Sequence, residues 1–181
     1  MFQAKNFDLF GIFSDDLAKN HITLYQGYVN NVNKLKDTIA SINISSIEFA
    51  ELNRRFGWEF NGMRLHELYF SNLKKGGSSI APKIASLIIE NFGSVENWEK
   101  NFKALGLMRG IGWVLLVKDQ DRLYNLWINE HDVGLLANCK ILLVMDMFEH
   151  AFMLDYGLKK TDYIDTVFRN LNWEEVESRL E

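Results

Sequence analysis

The chain has 181 residues, of which 48% are hydrophobic and 24% charged, and it carries a net charge of −4. This length supports a full hydrophobic core, and the acidic balance argues against electrostatic binding of nucleic acid. The single cysteine, Cys139, excludes a disulfide framework and a cysteine-rich metal cluster and indicates a reducing compartment. The first residues lack a secretory signal pattern, and no apolar run approaches the ~20 residues of a membrane span, so we expect a cytoplasmic protein without a membrane partner.

Helices are predicted for the first part of the chain. The cluster Ser14-Asp15-Asp16 is a typical helix start, and apolar residues follow it at helical spacing up to Leu35. A second start at Ser45-Ser46 precedes more than 25 residues, which we interpret as two helices broken near Gly57 or Gly62. The stretch from Lys74 to Ser79, with two adjacent glycines and two serines, predicts a boundary between lobes 1–75 and 76–181.

The second part of the chain is predicted to mix helices and strands. Pro82, Gly93 and Ser94 delimit two short helices before residue 108. A β-hairpin is expected in GWVLLVKDQDRLYNLWIN, a third strand in ILLVMD (141 to 146), and a helical tail from Phe148 with a break at Gly157. The order predicts the α+β class, with an N-terminal helical hairpin lobe and an α+β lobe containing a three-stranded antiparallel sheet.

Four histidines and one aspartate are the candidates for chemistry. His150 follows Asp146 by four residues in an apolar setting, where burial is costly unless a partner such as a metal ion satisfies both groups. His21 and His66 lie on helices, and three imidazoles with one carboxylate form a donor set suited to iron, manganese or zinc. Taken singly, each histidine is more often a packed or surface residue, and Asp146 is also suited to capping a helix N-terminus.

These segments resemble the iron/manganese superoxide dismutases. The resemblance covers most of the chain and is strongest in HITLYQGYVNNVNKL, LHELYFSNLKKG, GIGWVLLV and MDMFEHAFMLDYGLKK, where DMFEHAFMLDY is similar to the family's DxWEHAYYLDY motif. It implies the α+β fold above, one iron or manganese ion per chain, superoxide as the substrate, and an antioxidant enzyme that forms a homodimer or tetramer.

The resemblance also implies the roles of particular residues. His21, His66, Asp146 and His150 would bind the metal, with a solvent molecule as the fifth ligand. His131 would hydrogen-bond that solvent, although an exposed loop histidine is the alternative. Glu149 would bridge to a ligand histidine of the partner subunit. Tyr28 matches the family's gateway tyrosine and Trp113 an aromatic wall of the pocket, and plain core packing is the alternative for both.

The chain departs from the family pattern at several positions. A rigid alignment on Tyr28 places Asn20 at the first ligand position. We prefer His21, because in a helix without a one-residue π-bulge its side chain would point toward the metal. A second gateway histidine is missing, Phe148 and Phe152 replace the motif's Trp and first Tyr, and Lys159 takes the place of an anion-guiding arginine. A noncatalytic metal-binding or interaction protein of the same fold is therefore the second hypothesis, and a nonhaem iron oxygenase ranks below it.

Overall fold

The fold consists of two long helices, two short helices, a small sheet and a helical tail. The computed structural model describes residues 1–181. The elements in chain order are α1 (Asp15–Ser41), α2 (Ile47–Ser71), α3 (Pro82–Phe92), α4 (Val95–Gly106), β1 (Gly112–Asp119), β2 (Arg122–Asn129), β3 (Lys140–Asp146), α5 (Met153–Tyr156), α6 (Lys160–Arg169) and α7 (Trp173–Ser178). The predicted α+β class with a three-stranded antiparallel sheet is confirmed. None of the helices has the length and apolar character that crossing a membrane requires.

Helix α1 begins where its sequence predicts. The Ser14 hydroxyl accepts the backbone N–H of Leu17 at 3.1 Å, and Asp15 and Asp16 occupy the first turn, where acidic groups are favourable. The helix continues without a π-bulge to Ser41. His21 and Tyr28 therefore lie on its buried face, whereas Asn20 is exposed.

Helix α2 is continuous, so the predicted break near Gly57 or Gly62 is wrong. A glycine inside a helix costs about 1 kcal/mol relative to alanine, which the burial of Met63, Tyr69 and Phe70 outweighs. Gly62 has a packing role, because a Cβ atom there would lie 2.7 Å from the ring of Tyr28. The close approach of α1 and α2 thus explains a glycine that the sequence pattern presents as a break.

Helices α3 and α4 have the predicted boundaries. Pro82 opens α3, and Gly93 ends it with a φ of 82°, a conformation that glycine adopts easily. The Ser94 hydroxyl then caps α4 by accepting the backbone N–H of Asn97 at 3.1 Å. Residues 72–81 between α2 and α3 form neither helix nor strand. The division into lobes 1–75 and 76–181 stays a prediction.

The sheet has the strand order β2-β1-β3, with β1 in the centre. The hairpin turn is tighter than the five-residue polar turn in the sequence suggests, because pairing extends to Asp119 and Arg122. On the other edge of β1, Trp113 pairs with Asp146. The register thereby places a large aromatic ring beside the carboxylate that ends β3.

The helical tail is more interrupted than predicted. A 3₁₀ turn (Glu149–Ala151) precedes α5, and the predicted break at Gly157 is confirmed by its φ of 53°. A further break separates α6 from α7. The short turn after β3 holds His150 close to Asp146, where a regular helix starting at Phe148 was expected.

Arg179 ties the end of the chain to α2 and β3. Its buried guanidinium donates to the carbonyl oxygens of Leu142 at 2.7 Å and Leu68 at 3.0 Å, and to the Asn72 side chain at 2.6 Å. The Asn72 amide in turn donates to the Val144 carbonyl at 2.6 Å, two residues before Asp146. Hydrogen bonds therefore join the helix that carries His66 to the strand that carries Asp146.

Candidate metal centre

Four side chains from four elements meet in the interior of the protein. His21 lies on α1, His66 on α2, Asp146 at the end of β3 and His150 in the 3₁₀ turn. One potential ligand atom from each lies within 4.8 Å of the other three. The Nε2 atoms of His21 and His150 are each 3.1 Å from Asp146 Oδ2, and His66 Nε2 is 3.6 Å from the same oxygen. The structure brings together the four residues that the sequence singles out.

The cluster fits a metal ion. Two atoms bound at about 2.1 Å to one ion lie about 3.0 Å apart at a right angle, close to the separations seen between these donors. The Nδ1–H of His66 donates to the Gly62 carbonyl at 2.6 Å, which leaves an unprotonated Nε2 that is buried and has no hydrogen-bond partner. A donor set of three imidazoles and one carboxylate suits iron or manganese.

Burial determines the protonation of the cluster. His66 and Asp146 are fully buried, and His21 is 1% exposed. Desolvation lowers the pKa of His21 and places that of His66 well below its ordinary range, so both imidazoles stay neutral and able to bind a cation. Burial alone would raise the pKa of Asp146, but the imidazoles of His150 and His21 lower it overall, which keeps the carboxylate ionised.

The two oxygens of Asp146 have different partners. Oδ2 faces the three imidazoles, whereas Oδ1 accepts the backbone N–H of Phe148 at 2.9 Å. The alternative that Asp146 caps a helix is wrong, because Phe148 is the N-cap of the 3₁₀ turn and no side chain caps that turn. Oδ1 instead holds the chain that leaves β3, and Oδ2 remains available to a metal. The Tyr163 hydroxyl donates to the Asp146 carbonyl at 2.7 Å, which fixes the backbone behind the carboxylate.

Tyr28, His131 and Trp113 form a hydrogen-bonded group beside the cluster. The Trp113 Nε1–H donates to His131 Nδ1 at 3.0 Å, and His131 Nε2 is 2.8 Å from the Tyr28 hydroxyl. Because Nδ1 accepts, the proton of a neutral His131 is on Nε2 and is donated to Tyr28. His131 is fully buried, so the alternative of an exposed loop histidine is wrong. A left-handed backbone at Glu130, with a φ of 49°, turns the chain at this point.

Substitution of His131 by glutamine is expected to flatten the pH dependence of stability in the metal-free protein. Burial lowers the pKa of His131 to about 4, whereas the unfolded chain has a value of about 6.5. Between these values only the unfolded state takes up the proton, so the free energy of unfolding is highest above pH 6.5 and falls as the pH decreases. Because proton binding is linked to unfolding, His131 alone should lower the free energy of unfolding by about 1–2 kcal/mol between pH 7 and pH 5.

Urea unfolding at pH 7 and pH 5 measures this share. His21 and His66 act in the same direction in both proteins, so some dependence persists in His131→Gln. Glutamine can accept from Trp113 and donate to Tyr28, which makes the variant a close structural match. If the free energy of unfolding decreased equally between pH 7 and pH 5 in the wild type and in His131→Gln, the lowered pKa of His131 would be contradicted.

Sequence reasoning missed Trp58 as a neighbour of the site. Its ring centroid lies 4.4 Å from that of His131 and 5.7 Å from that of Tyr28, and its Nε1–H donates to the Glu130 carboxylate at 2.9 Å. The sequence could have indicated this neighbour, because Trp58 lies eight residues before His66 and this spacing puts both on one face of a helix. Phe148, which replaces the tryptophan of the family motif, stacks on His131 and His150, and the ring centroids are 4.9 Å and 5.2 Å apart.

Glu149 and His150 mark the side on which the cluster approaches solvent. Glu149 is exposed, and the His150 side chain is 28% exposed. A depression of about 460 Å³ lies beside them, also bordered by Leu17, Asn20, Met153 and Leu154. Met153 and Leu154 are exposed apolar residues, so this face presents hydrophobic surface next to a charged group.

Residues 80–179 match the family described as iron/manganese superoxide dismutases, C-terminal domain. A protein named iron superoxide dismutase from Cupriavidus metallidurans is 36% identical over 163 residues, which are 86% of this chain and 82% of that protein. The iron superoxide dismutase of Pyrobaculum aerophilum is 31% identical over 94% of this chain and 84% of its own length. A manganese superoxide dismutase of Haloferax volcanii is 34% identical over 91% of this chain and 85% of its own length. Relatives named for iron and for manganese are thus similarly close.

Proposed function

The chain belongs to the iron/manganese superoxide dismutase family, and we propose that it disproportionates superoxide with one ion bound by His21, His66, Asp146 and His150. The observation that carries the proposal is the approach of three imidazole Nε2 atoms to the single oxygen Asp146 Oδ2. The products are O₂ and H₂O₂.

The bound ion supplies the electron chemistry, since iron or manganese alternates between the 3+ and 2+ states, which zinc does not. Asp146 offsets part of the cation's charge, and the neutral imidazoles bind it without adding charge. His131 donates its Nε2–H to Tyr28, which leaves the tyrosine O–H free to donate to an oxygen of the substrate. Burial and the nearby Asp146 carboxylate raise the pKa of Tyr28, so the hydroxyl keeps its proton at neutral pH.

Metal analysis paired with an activity assay tests the function. Protein loaded separately with iron and with manganese should contain about one ion per chain and consume superoxide in at least one of the two forms. A full complement of metal with negligible dismutation would instead favour the noncatalytic metal-binding alternative.

We also propose that two copies associate through the face around Glu149. His150 Nε2 faces Asp146, so its Nδ1 is the nitrogen available to a carboxylate from the partner, which would orient the ring. The exposed residues Met153, Leu154 and Leu158 supply apolar surface for such an interface. A two-fold axis would make the contact reciprocal, so that each Glu149 reaches the other His150.

Replacement of Glu149 by glutamine is expected to weaken the dimer about tenfold or more, because both charge-assisted hydrogen bonds are lost together. Sedimentation equilibrium measures the dissociation constant. The matched control is Glu90→Gln, which changes an exposed glutamate on α3. A wild-type protein that is monomeric at micromolar concentration, or equal constants for the two variants, would contradict the interface.

We further propose that the protein works in the cytoplasm as an antioxidant enzyme without a nucleic-acid or membrane partner. The support is its acidic net charge of −4 and its one cysteine, Cys139, a partly buried free thiol of the kind that persists under reducing conditions.

A further inference from the structure

We propose that Arg55 guides the superoxide anion toward the Tyr28 side of the metal centre, an assignment that rests on the proposed function. The protein as a whole is negative, so an anionic substrate needs a local positive region near the site. The sequence pointed to Lys159, but that residue lines neither the depression beside Tyr28 nor the one beside His150.

Arg55 lines a depression that also contains Tyr28. This depression, of about 220 Å³, opens on the α1–α2 surface over Tyr28. Arg55 is its only cationic residue, among neighbours that include Leu24, Gly27, Trp58 and Glu59. An anion in this depression therefore lies close to both the guanidinium and Tyr28.

The charge of Arg55 remains effective although Glu59 lies beside it. Glu59 Oε1 accepts from Nε and Nη2 of Arg55 at 2.9 Å and 2.7 Å, and Asn31 donates to Oε2 at 3.3 Å. The Glu59 side chain is only 4% exposed, whereas that of Arg55 is 51% exposed. The positive end of the pair thus faces the solvent, and Nη1 makes neither of the two bonds to Glu59.

Trp58 fixes the guanidinium close to the site. The Arg55 guanidinium carbon lies 3.9 Å from the centroid of the Trp58 ring, which packs in turn against His131 and Tyr28. One aromatic ring therefore separates the cation from the Tyr28–His131 hydrogen bond. The indole N–H of Trp58 donates to the Glu130 carboxylate at 2.9 Å, which holds the ring in place.

Gly27 keeps the depression open. It lies inside α1, where glycine is a poor helix former, and a Cβ atom there would meet nothing within 4 Å. Packing against another element therefore does not require glycine at this position. A side chain here would project from the wall of the depression beside Tyr28.

Three variants and one control test the role of Arg55 in metal-loaded protein. Arg55→Gln removes the charge, Arg55→Lys keeps it, and Arg55→Gln combined with Glu59→Gln leaves the net charge of the protein unchanged. Arg54→Gln is the matched control, since Arg54 is exposed on the same helix, pairs with Glu51 and does not line the depression. Metal content and the midpoint of thermal unfolding establish that each variant is folded and loaded.

Two measurements are made on each protein. The first is the second-order rate constant for superoxide consumption at low and high ionic strength, and the second is the dissociation constant of azide, a redox-inert anion, from spectral titration. Arg55→Gln should lower the rate constant and weaken azide binding about threefold at low salt, with little difference near ~1 M salt. Arg55→Lys should stay within about twofold of the wild type, and the double variant should remain slower than the wild type although its net charge is the same.

Arg55→Gln equal to the wild type at low salt in both measurements would overturn the proposal, as would an equal loss in Arg54→Gln. A loss that persists unchanged at high salt would also overturn it, because electrostatic guidance is screened. The azide titration does not depend on turnover. Failure of the proposed function would appear as a loaded wild-type protein without dismutation, which is a separate result.

Discussion

Replacement of His66 by alanine is expected to remove both the metal and the superoxide activity. His66 is fully buried, and its Nε2 is one of the three nitrogens that face Asp146 Oδ2. Loss of a single supporting contact around a metal already costs about 10- to 100-fold in affinity, so loss of a ligand should exceed that range. Metal content should fall to a small fraction of one ion per chain, and superoxide consumption should fall to the uncatalysed rate.

Metal analysis and the superoxide assay on the same preparation measure both effects, and far-UV circular dichroism checks that the variant is folded. His131→Gln is the control for metal content, because it changes a buried histidine that bonds Tyr28 and Trp113 and leaves the four proposed ligands in place. A His66→Ala protein with a full complement of metal would reject the proposed ligand set. Wild-type activity that survives removal of the metal would reject the mechanism.

Replacement of Arg179 by alanine is expected to destabilise the protein strongly. The Arg179 side chain is 10% exposed, and its guanidinium donates to two backbone carbonyls and to the side chains of Ser71 and Asn72. Alanine would leave buried acceptors without partners, which costs about 3 kcal/mol in total. For a chain of this size the Tm should fall by roughly 6–12 °C.

Thermal and urea unfolding of the two proteins measure this loss. Glu175→Gln is the matched control, because it removes only the charge that contacts Arg179 at 3.1 Å near the surface and should cost less than about 1 kcal/mol. Equal stabilities for Arg179→Ala and Glu175→Gln would show that the hydrogen bonds to α2 and β3 contribute little.

Elements whose ends depend on local chemistry could be predicted from the sequence. Ser14 and Ser94 cap their helices with their own hydroxyls, and Gly93 ends α3 through its own backbone freedom. The hairpin follows from apolar β-prone segments on both sides of a polar turn. The continuity of α2 was not predictable in this way, because Gly62 is explained by the Tyr28 ring on another helix.

The candidate site shows the same division between local and long-range information. The four residues of the cluster could be selected from their types and from the family resemblance, but their convergence depends on long-range packing, which brings His21 next to Asp146 from 125 residues away. The inward orientation of His131 depends on the turn at Glu130 and on the indole of Trp113. The contact of Arg55 with Trp58 joins neighbours on one helix, yet its relevance depends on the depression that α1 and α2 form together.

The burial of His21, His66 and Asp146 has a consequence for how the protein acquires and keeps its ion. At most 1% of each of these three residues reaches solvent, and His150 is the one partly exposed member of the cluster, so an ion held among the four should exchange slowly and mainly when part of the surrounding structure opens. Exchange is then governed by the rate of that opening rather than by the strength of the individual bonds. The ratio of iron to manganese in purified protein would record which ion was abundant while the chain was folding.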